Sequence, residues 1–110
     1  MKAKDLLEKL NLTDATKLSN ENDVESVFTC DLLSLAMGRA PSGCAWLSVM
    51  GNINTLAVAS LTDVGCVILC HGVKMDDETL KKAREESIPV FYSDEPIFDT
   101  ALKVYNAINE

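Results

Sequence analysis

The second half of the chain carries a pattern that strongly favours a parallel α/β sheet. An apolar run from Cys66 to Cys70 ends in His71 and Gly72, and a second apolar run, Ile88 to Phe91, follows after a charged stretch. Apolar runs of this length indicate strands that are buried on both faces, and the charged stretch between them indicates a solvated helix. Strand, helix and strand form one βαβ unit, from which parallel sheets are built.

Length and composition fit one compact domain. The chain has 110 residues, 47% of them hydrophobic, which is enough for one core and too few for two domains. The sequence has no internal repeat, linker or low-complexity tract. Residues 1–110 are therefore predicted to form a single domain.

The charge balance argues against polyanionic partners. Seventeen acidic residues outnumber ten basic ones, the net charge is -7, and the basic residues form no cluster. We therefore expect neither nucleic acid nor a membrane surface as a partner. The N-terminus lacks the apolar segment of a signal peptide, and no stretch reaches the roughly 20 apolar residues of a membrane span. These features predict a cytoplasmic protein.

Strand and helix patterns alternate along the whole chain, which predicts the fold class α/β. The predicted helices cover residues 4–10, 31–37, 52–62 and 95–108, with another that begins at 75–78. The predicted strands cover residues 15–19, 25–29, 45–50, 66–70 and 89–92. In the helix that begins at 75–78, Asp77 is followed four residues later by Lys81, and Glu78 by Lys82. Such acid-before-base pairs indicate a solvated face.

The apolar spacing also predicts which helix faces are buried. The helix at residues 31–37 is almost entirely apolar, so it is predicted to be buried and to be closed by Gly38. The helix at 52–62, capped by Asn52, and the last helix each show an apolar stripe. In the helix at 52–62, the side chains predicted to face the core are Ile53, Leu56, Ala57, Ser60 and Leu61. In the last helix they are Ile97, Ala101, Tyr105 and Ile108, beside Phe98 and Leu102.

The loops after the strands are the predicted place for a ligand. Loops that follow the carboxyl ends of parallel strands meet at one edge of the sheet, where ligands usually bind. The turn at Gly51 and Asn52 opens a helix, and the free N–H groups of such a helix hold phosphate or carboxylate groups in many proteins. A glycine there lets a ligand approach closely. The alternative is an ordinary helix cap, which needs no ligand.

The cysteines and the single histidine allow several interpretations. Thiols of a cytosolic protein stay reduced, and Cys66 and Cys70, four apart on one strand face, are predicted to be small core residues. His71 is a candidate general base or metal ligand, with an ordinary turn residue as the alternative. Cys30, Cys70 and His71 would supply part of a zinc site if their loops converged, but the tight cysteine pairs of structural zinc sites are missing.

The sequence predicts neither an enzyme nor a bound cofactor or metal. It contains no Ser/His/Asp order, no Walker A sequence and no glycine-rich dinucleotide fingerprint. Catalysis is therefore not expected. Asp76, Asp77 and Glu78 could bind a divalent cation, but at the start of a helix they more simply offset the helix dipole.

Several short segments resemble one known family. They are Glu78-Thr79-Leu80 with Ala83, Ser87 to Phe91, Asp99 to Ala101, and upstream Cys30 to Ser34, Met37 to Ala40 and Ala45 to Leu47. Because of these segments, the stretch from about Val24 to Ile108 resembles the DRTGG domain family. The motif that names the family falls at residues 51–54 and 70–72, where only the two glycines keep its pattern. Asn52 and Ile53 replace the aspartate and arginine of the motif.

The resemblance implies a fold like the N-terminal domain of HPr kinase/phosphorylase, a single three-layer domain with a mainly parallel sheet and helices on both faces. The upstream segments resemble small stand-alone DRTGG-like proteins of anaerobic bacteria, whose genes tend to lie near those for iron-only hydrogenases and histidine kinases. Related domains in phosphotransacetylases and CBS-domain pyrophosphatases are thought to serve regulation and subunit association. Kinase activity does not carry over, because the chain has no kinase domain and no Walker A lysine.

We therefore consider functions from different classes. The preferred one is a non-enzymatic regulatory or sensing module, a homodimer, that binds a small anionic ligand such as a nucleotide. The predicted ligand contacts are Asp31, Gly51, Asn52, Asn54, Cys70, His71 and Gly72. The alternative is a structural protein that docks a redox or signalling enzyme, with iron-only hydrogenase as one candidate, through Trp46 or Phe98. The least favoured hypothesis is a metal or redox sensor that uses the two cysteines and the histidine described above.

Overall fold

A computed structural model describes all residues from 1 to 110 and contains five helices and five strands. In chain order they are α1 (Ala3–Lys9), β1 (Thr13–Asp14), β2 (Ser26–Thr29), α2 (Leu33–Arg39), β3 (Cys44–Ser48), α3 (Ile53–Thr62), β4 (Cys66–Leu69), α4 (Asp77–Glu85), β5 (Val90–Tyr92) and α5 (Ile97–Ile108). Strand and helix alternate from β2 onward, as the sequence pattern predicts.

The strands form one sheet in the order β1-β5-β4-β3-β2. The strands from β2 to β5 are parallel, and only the two-residue β1 runs antiparallel, with Thr13 opposite Tyr92. The two central strands, β3 and β4, are buried along their whole length. A strand covered on both faces must be apolar throughout, which explains why the Cys66–Leu69 run shows no alternation with polar residues.

The helices cover both faces of the sheet. The helices α2, α3 and α4 each connect two neighbouring parallel strands, and the sheet grows in one direction from β2 to β5. Because such crossovers are right-handed, helices that connect strands added in one direction all lie on the same face. The helices α1 and α5 lie outside this run and cover the other face. The α/β class and the three-layer, mainly parallel architecture are thus confirmed.

Each face of the sheet has its own core. Cys44 and Trp46 of β3 point towards α2, α3 and α4, whereas Ala45 and Leu47 of the same strand point towards α1 and α5. Trp46 is completely buried, and its indole N–H donates to the carbonyl oxygen of Cys30 at 2.9 Å. The alternation follows from the two-residue period of a strand.

The first predicted strand is wrong in position. No strand forms at residues 15–19, and the strand that joins the sheet is β1 immediately before them. The N–H of Ala15 donates to the carbonyl of Val90 at 3.0 Å, and the N–H of Val90 donates to the hydroxyl of Thr16 at 3.1 Å. Lys17 then takes a positive φ of 57°, which turns the chain away from the sheet edge.

The prediction for the second helix is wrong in two respects. The helix α2 continues past Gly38 to Arg39, and the residue that follows its end is Ala40. It is also not buried: Ala36 is its only fully buried residue, and Leu35 and Met37 are exposed. A seven-residue helix can turn only one narrow stripe towards the sheet, whatever the character of its other residues.

The prediction for the buried face of α3 is wrong except at Leu56. The buried residues are Thr55, Leu56, Val58 and Ala59. Ile53 and Leu61 are exposed by 49% and 72%. Apolar residues occur all round this helix, so their spacing did not identify the face that meets the sheet.

The last helix matches the predicted stripe in part. Ile97, Ala101 and Ile108 pack against the core, but Tyr105 is exposed by 57%. Phe98 and Leu102, placed beside the stripe in the prediction, are exposed as well. The buried residues of α5 are Thr100, Val104 and Ala107.

Two further findings concern the helices. The ion pair of α4 joins Lys82 to Glu86 at 3.4 Å, and neither predicted pair forms. None of the five helices has the length and apolar character needed to span a bilayer.

Candidate functional site

The loops after the four parallel strands meet at one edge of the sheet, as predicted. A cleft of about 520 Å³ opens there between the first turn of α3 and the first turn of α4. Gly51, Asn52 and Ile53 line one wall. The opposite wall consists of Asp76, Glu78, Thr79 and Lys82. The two helices run alongside each other because they flank β4 on the same face of the sheet.

The wall formed by α3 presents an open helix N-terminus. The side-chain oxygen of Asn52 accepts hydrogen bonds from the N–H groups of Asn54 at 3.0 Å and Thr55 at 3.3 Å, which is an ordinary N-cap. The N–H of Ile53 has no hydrogen-bond acceptor within the chain. The first turn contains no acidic residue, so no charge within α3 itself offsets the positive end of the helix dipole. This terminus can accept an anion.

Gly51 is required by packing within the chain. A Cβ atom at this position would lie 3.1 Å from the carbonyl oxygen of Lys74 and 3.2 Å from side-chain atoms of Leu69 and Val73. These distances are tighter than nine in ten Cβ contacts in proteins. The close approach of the Lys74 backbone therefore accounts for the glycine without a ligand.

The wall formed by α4 carries its own charges. The carboxylate of Asp76 accepts from the N–H of Thr79 at 2.8 Å, and this hydrogen bond lowers the pKa of the carboxyl group below its ordinary value. Asp77 and Glu78 place two more acids in the first turn, where they offset the helix dipole. Lys82 supplies the only positive side chain of the cleft. This wall can bind a cation directly, or an anion that already carries a bound cation.

Two of the predicted residues lie at the same edge but make contacts within the chain. One carboxylate oxygen of Asp31, Oδ1, accepts from the hydroxyl of Ser48 and from the N–H of Val49, both at 2.9 Å. These bonds join the end of β2 to the end of β3. Cys70 is fully buried, and burial raises the pKa of its thiol. Neither residue lines the cleft.

His71 and Gly72 form a tight turn that holds the start of α5. Both residues have positive φ angles, 59° and 74°, and their N–H groups donate to the carbonyl oxygens of Glu95 and Ser93. The ring nitrogen Nε2 of His71 accepts from the N–H of Ile97 at 3.1 Å. The neutral ring must then carry its proton on Nδ1. The imidazole thus caps a helix that has no cap from its own N-terminal residue.

The arrangement does not support two of the alternatives raised by the sequence. Cys30 packs on the face covered by α2, α3 and α4, whereas Cys70 points to the opposite face. The chain contains no group of three or more histidine, cysteine or acidic side chains that could hold a metal ion. Trp46 is buried and therefore presents no docking surface, whereas Phe98 is exposed by 70%.

The structure brings together only part of the predicted set. Gly51 and Asn52 line the cleft, while Asn54 lies on the exposed side of the same helix turn. The sequence analysis considered Asp76 and Glu78 only as possible cation ligands, and it did not assign them, Thr79 or Lys82 to the predicted ligand site. Their position depends on the strand order, because α3 and α4 lie next to each other only when the sheet grows in one direction through β3, β4 and β5.

Comparisons with known proteins bear on the fold. No protein-family model matches the sequence, and no curated protein matches it. A solved structure of similar fold is the crystal structure of the CBS and DRTGG domains of the regulatory region of Clostridium perfringens pyrophosphatase, complexed with the activator diadenosine tetraphosphate. The TM-score is 0.68 at 12% sequence identity. The match covers 94% of this chain and 45% of that chain. The chain described here has a DRTGG-like α/β fold.

Proposed function

We propose that this chain is a non-enzymatic regulatory module that binds a small anionic ligand, with a nucleotide as the first candidate, and that associates with itself. The observation that supports the ligand most directly is the cleft in front of α3. There, a helix N-terminus that has no acid in its first turn and a free N–H at Ile53 borders about 520 Å³ of open space.

The charges of the cleft narrow the choice of ligand. A bare polyanion would meet the α3 terminus and Lys82 favourably, but it would be repelled by Asp76 and Glu78. A nucleotide that carries Mg²⁺ between its phosphate oxygens and the carboxylates suits both walls, because Mg²⁺ prefers such oxygen ligands. The similarity of fold to a regulatory region complexed with diadenosine tetraphosphate makes that compound and adenine mononucleotides the first to test.

The thermal unfolding temperature of the full chain is the first test. We expect one nucleotide, with Mg²⁺ present, to raise it. A ligand at about 100 times its dissociation constant adds about 2.7 kcal/mol to the free energy of unfolding, which corresponds to several degrees for a domain of this size. A flat response across adenine and guanine nucleotides and inorganic phosphate, with and without Mg²⁺, would contradict the proposal.

A matched pair of variants assigns the response to the cleft. In Asn52→Asp the carboxylate still caps α3, but it adds a negative charge to the cleft wall, so we expect the folded chain to lose most of the ligand response. The control is Asn106→Asp on α5, across the sheet, which makes the same change in net charge. We expect the control to keep the wild-type response. Gly51 is unsuitable for this test, because the packing around it is tight.

The second candidate function, docking of a larger protein, is favoured by one surface of α5. Phe98, Leu102 and Tyr105 lie along one exposed stripe at spacings of four and three residues, with exposed fractions of 70%, 47% and 57%. Exposed aromatic residues of this kind act as anchors at interfaces. The sequence analysis gave Phe98 this role.

This alternative predicts a different pattern of results. The purified chain would show no nucleotide response but would form a stable complex with a redox or signalling enzyme. Phe98→Ala would abolish that complex while leaving the unfolding temperature nearly unchanged. A complex that survives both Phe98→Ala and Tyr105→Ala would contradict docking through α5.

A further inference from the structure

The helices on one face of the sheet differ sharply in charge. Six of the nine residues of α4 are charged, whereas Arg39 is the only charged residue of α2 and α3. Five large apolar side chains on α2 and α3, counting Leu32 immediately before α2, have exposed fractions of 47% to 72%: Leu32, Leu35, Met37, Ile53 and Leu61. We call these five residues the α2/α3 surface. A helix that is apolar all round is normally covered on all sides, and interface centres are depleted of charge.

Gly38 lies within this region, and the space around it within the chain does not require a glycine. It occupies the last turn of α2, and a Cβ atom there would meet nothing within 4 Å. Glycine in a helix costs about 1 kcal/mol relative to alanine. A glycine does, however, leave bare backbone on the helix surface, to which a bulky side chain of another molecule can pack closely.

We propose that two copies of this chain pair through the α2/α3 surface, with the two α2 helices antiparallel about a twofold axis near Leu35. The inference rests on the self-association included in the proposed function and assigns it to a surface. Antiparallel pairing centred on Leu35 sets Leu32, which is 63% exposed, over the partner's Gly38. The glycine then accommodates the leucine, and Ile53 and Leu61 of α3 extend the apolar contact.

The opposite charges near the two ends of α2 are placed to form ion pairs with a second copy of the chain. The same alignment places Arg39 opposite the partner's Asp31. Arg39 takes part in none of the ion pairs within the chain. Asp31 uses one carboxylate oxygen, Oδ1, to bind Ser48 and Val49, which leaves Oδ2 free. The twofold axis repeats the pair at both ends, and antiparallel helix dipoles attract each other.

The size of the surface sets the expected affinity. A standard stable interface buries about 800 Å² per partner. The helices α2 and α3 have seven and ten residues, so they are only about 10 and 15 Å long. Their exposed face is smaller than the standard interface. We therefore expect a dimer that dissociates on dilution, with a Kd on the order of 10 µM.

Sedimentation equilibrium of the full chain over roughly 1 to 300 µM tests the proposal, a range that brackets this Kd. Leu35→Glu places two like charges at the twofold axis, and we expect at least a tenfold rise in Kd. The control is Leu102→Glu on α5, because both leucines are 47% exposed. We expect the control to change Kd less than twofold.

A second variant separates association from folding. Gly38→Gln adds a good helix former that the open space around position 38 admits, so the unfolding temperature of the dilute chain should be unchanged or higher. The same side chain blocks the contact with the partner's Leu32, so Kd should rise about tenfold. A loss of dimer through misfolding would instead lower the unfolding temperature.

Two results would overturn the assignment. One is a wild-type chain that stays monomeric over the whole concentration range. The other is a dimer that Leu102→Glu weakens as much as Leu35→Glu does. Neither result bears on the ligand, which is measured separately by the nucleotide response. A monomer that still binds a nucleotide overturns the self-association together with this surface, whereas a dimer that Leu35→Glu does not weaken more than Leu102→Glu overturns the surface alone. A dimer without a nucleotide response overturns only the ligand proposal.

Discussion

Gly65 has the tightest surroundings of any glycine in the chain. A Cβ atom there would lie 2.6 Å from the carbonyl oxygen of Asp23 and 3.4 Å from that of Cys44. Because two backbone groups cannot move aside easily, we expect Gly65→Ala to lower the free energy of unfolding by roughly 1 to 3 kcal/mol. Urea denaturation measures the change.

The control for that substitution is Gly38→Ala. At concentrations low enough to keep the chain monomeric, it should leave stability unchanged or raise it by up to about 1 kcal/mol, since the added methyl group meets open space. Equal losses of stability at positions 38 and 65 would show that the close contact around Gly65 does not decide the outcome.

The buried thiols make stability depend on alkaline pH. Burial raises the pKa of Cys44 from 9.0 to about 11, and it also raises the pKa of Cys66 and of Cys70. Above pH 9 the unfolded chain therefore loses thiol protons that the folded chain keeps. The free energy of unfolding should fall as pH rises from about 9 towards 11.

Urea titrations at several pH values measure this fall, and Cys44→Ala should make it shallower because one of the shifted groups is removed. An unchanged slope in this variant would show that Cys44 does not contribute. The sequence predicted the burial of Cys66 and Cys70 because they share one face of an apolar strand.

At the scale of single elements, the cap of α3 gives a direct prediction. The Asn52 side chain accepts two N–H groups of the first turn, so Asn52→Ala should lower the free energy of unfolding by about 0.5 to 2 kcal/mol. Asn52→Asp should stay close to wild type, because a carboxylate accepts the same bonds. Chemical denaturation checks both, and an alanine variant as stable as the wild type would contradict the cap.

The elements also show where prediction from sequence was limited. The cap at Asn52 was predictable because its side chain acts within a few residues. The buried face of α3 was not, since apolar residues lie on both of its sides and the choice depends on the neighbouring helices. For α2, apolar composition suggested burial, but its length of seven residues lets only Ala36 be fully buried.

At the scale of the whole molecule, the two cores share one sheet and should unfold together. Trp46, the only tryptophan, reports on the core under α2, α3 and α4. We expect its fluorescence and the far-ultraviolet circular dichroism to change at the same urea concentration. Leu56→Ala on one face and Val104→Ala on the other should each shift that single transition to lower urea. Different urea midpoints for fluorescence and circular dichroism would contradict the joint unfolding of the two cores.

The sequence predicted the architecture better than it predicted the site. Repeated βαβ units implied a parallel sheet, and the handedness of the crossovers places α2, α3 and α4 together on one face. The antiparallel β1 escaped prediction because two residues carry no periodic signal. The site was only half predicted, since Asp76 and Lys82 reach the cleft through the packing of α4 beside α3, which depends on strand order.

The most direct test of the proposed function is a ¹⁵N–¹H NMR titration of the full chain with Mg²⁺ and diadenosine tetraphosphate, followed by adenine mononucleotides. It reports each backbone amide separately. The account predicts saturable shifts concentrated at residues 51–54 and 76–79, on the two walls of the cleft. Shifts confined to α5 or to the opposite edge of the sheet, or no shifts at any nucleotide concentration, would contradict it.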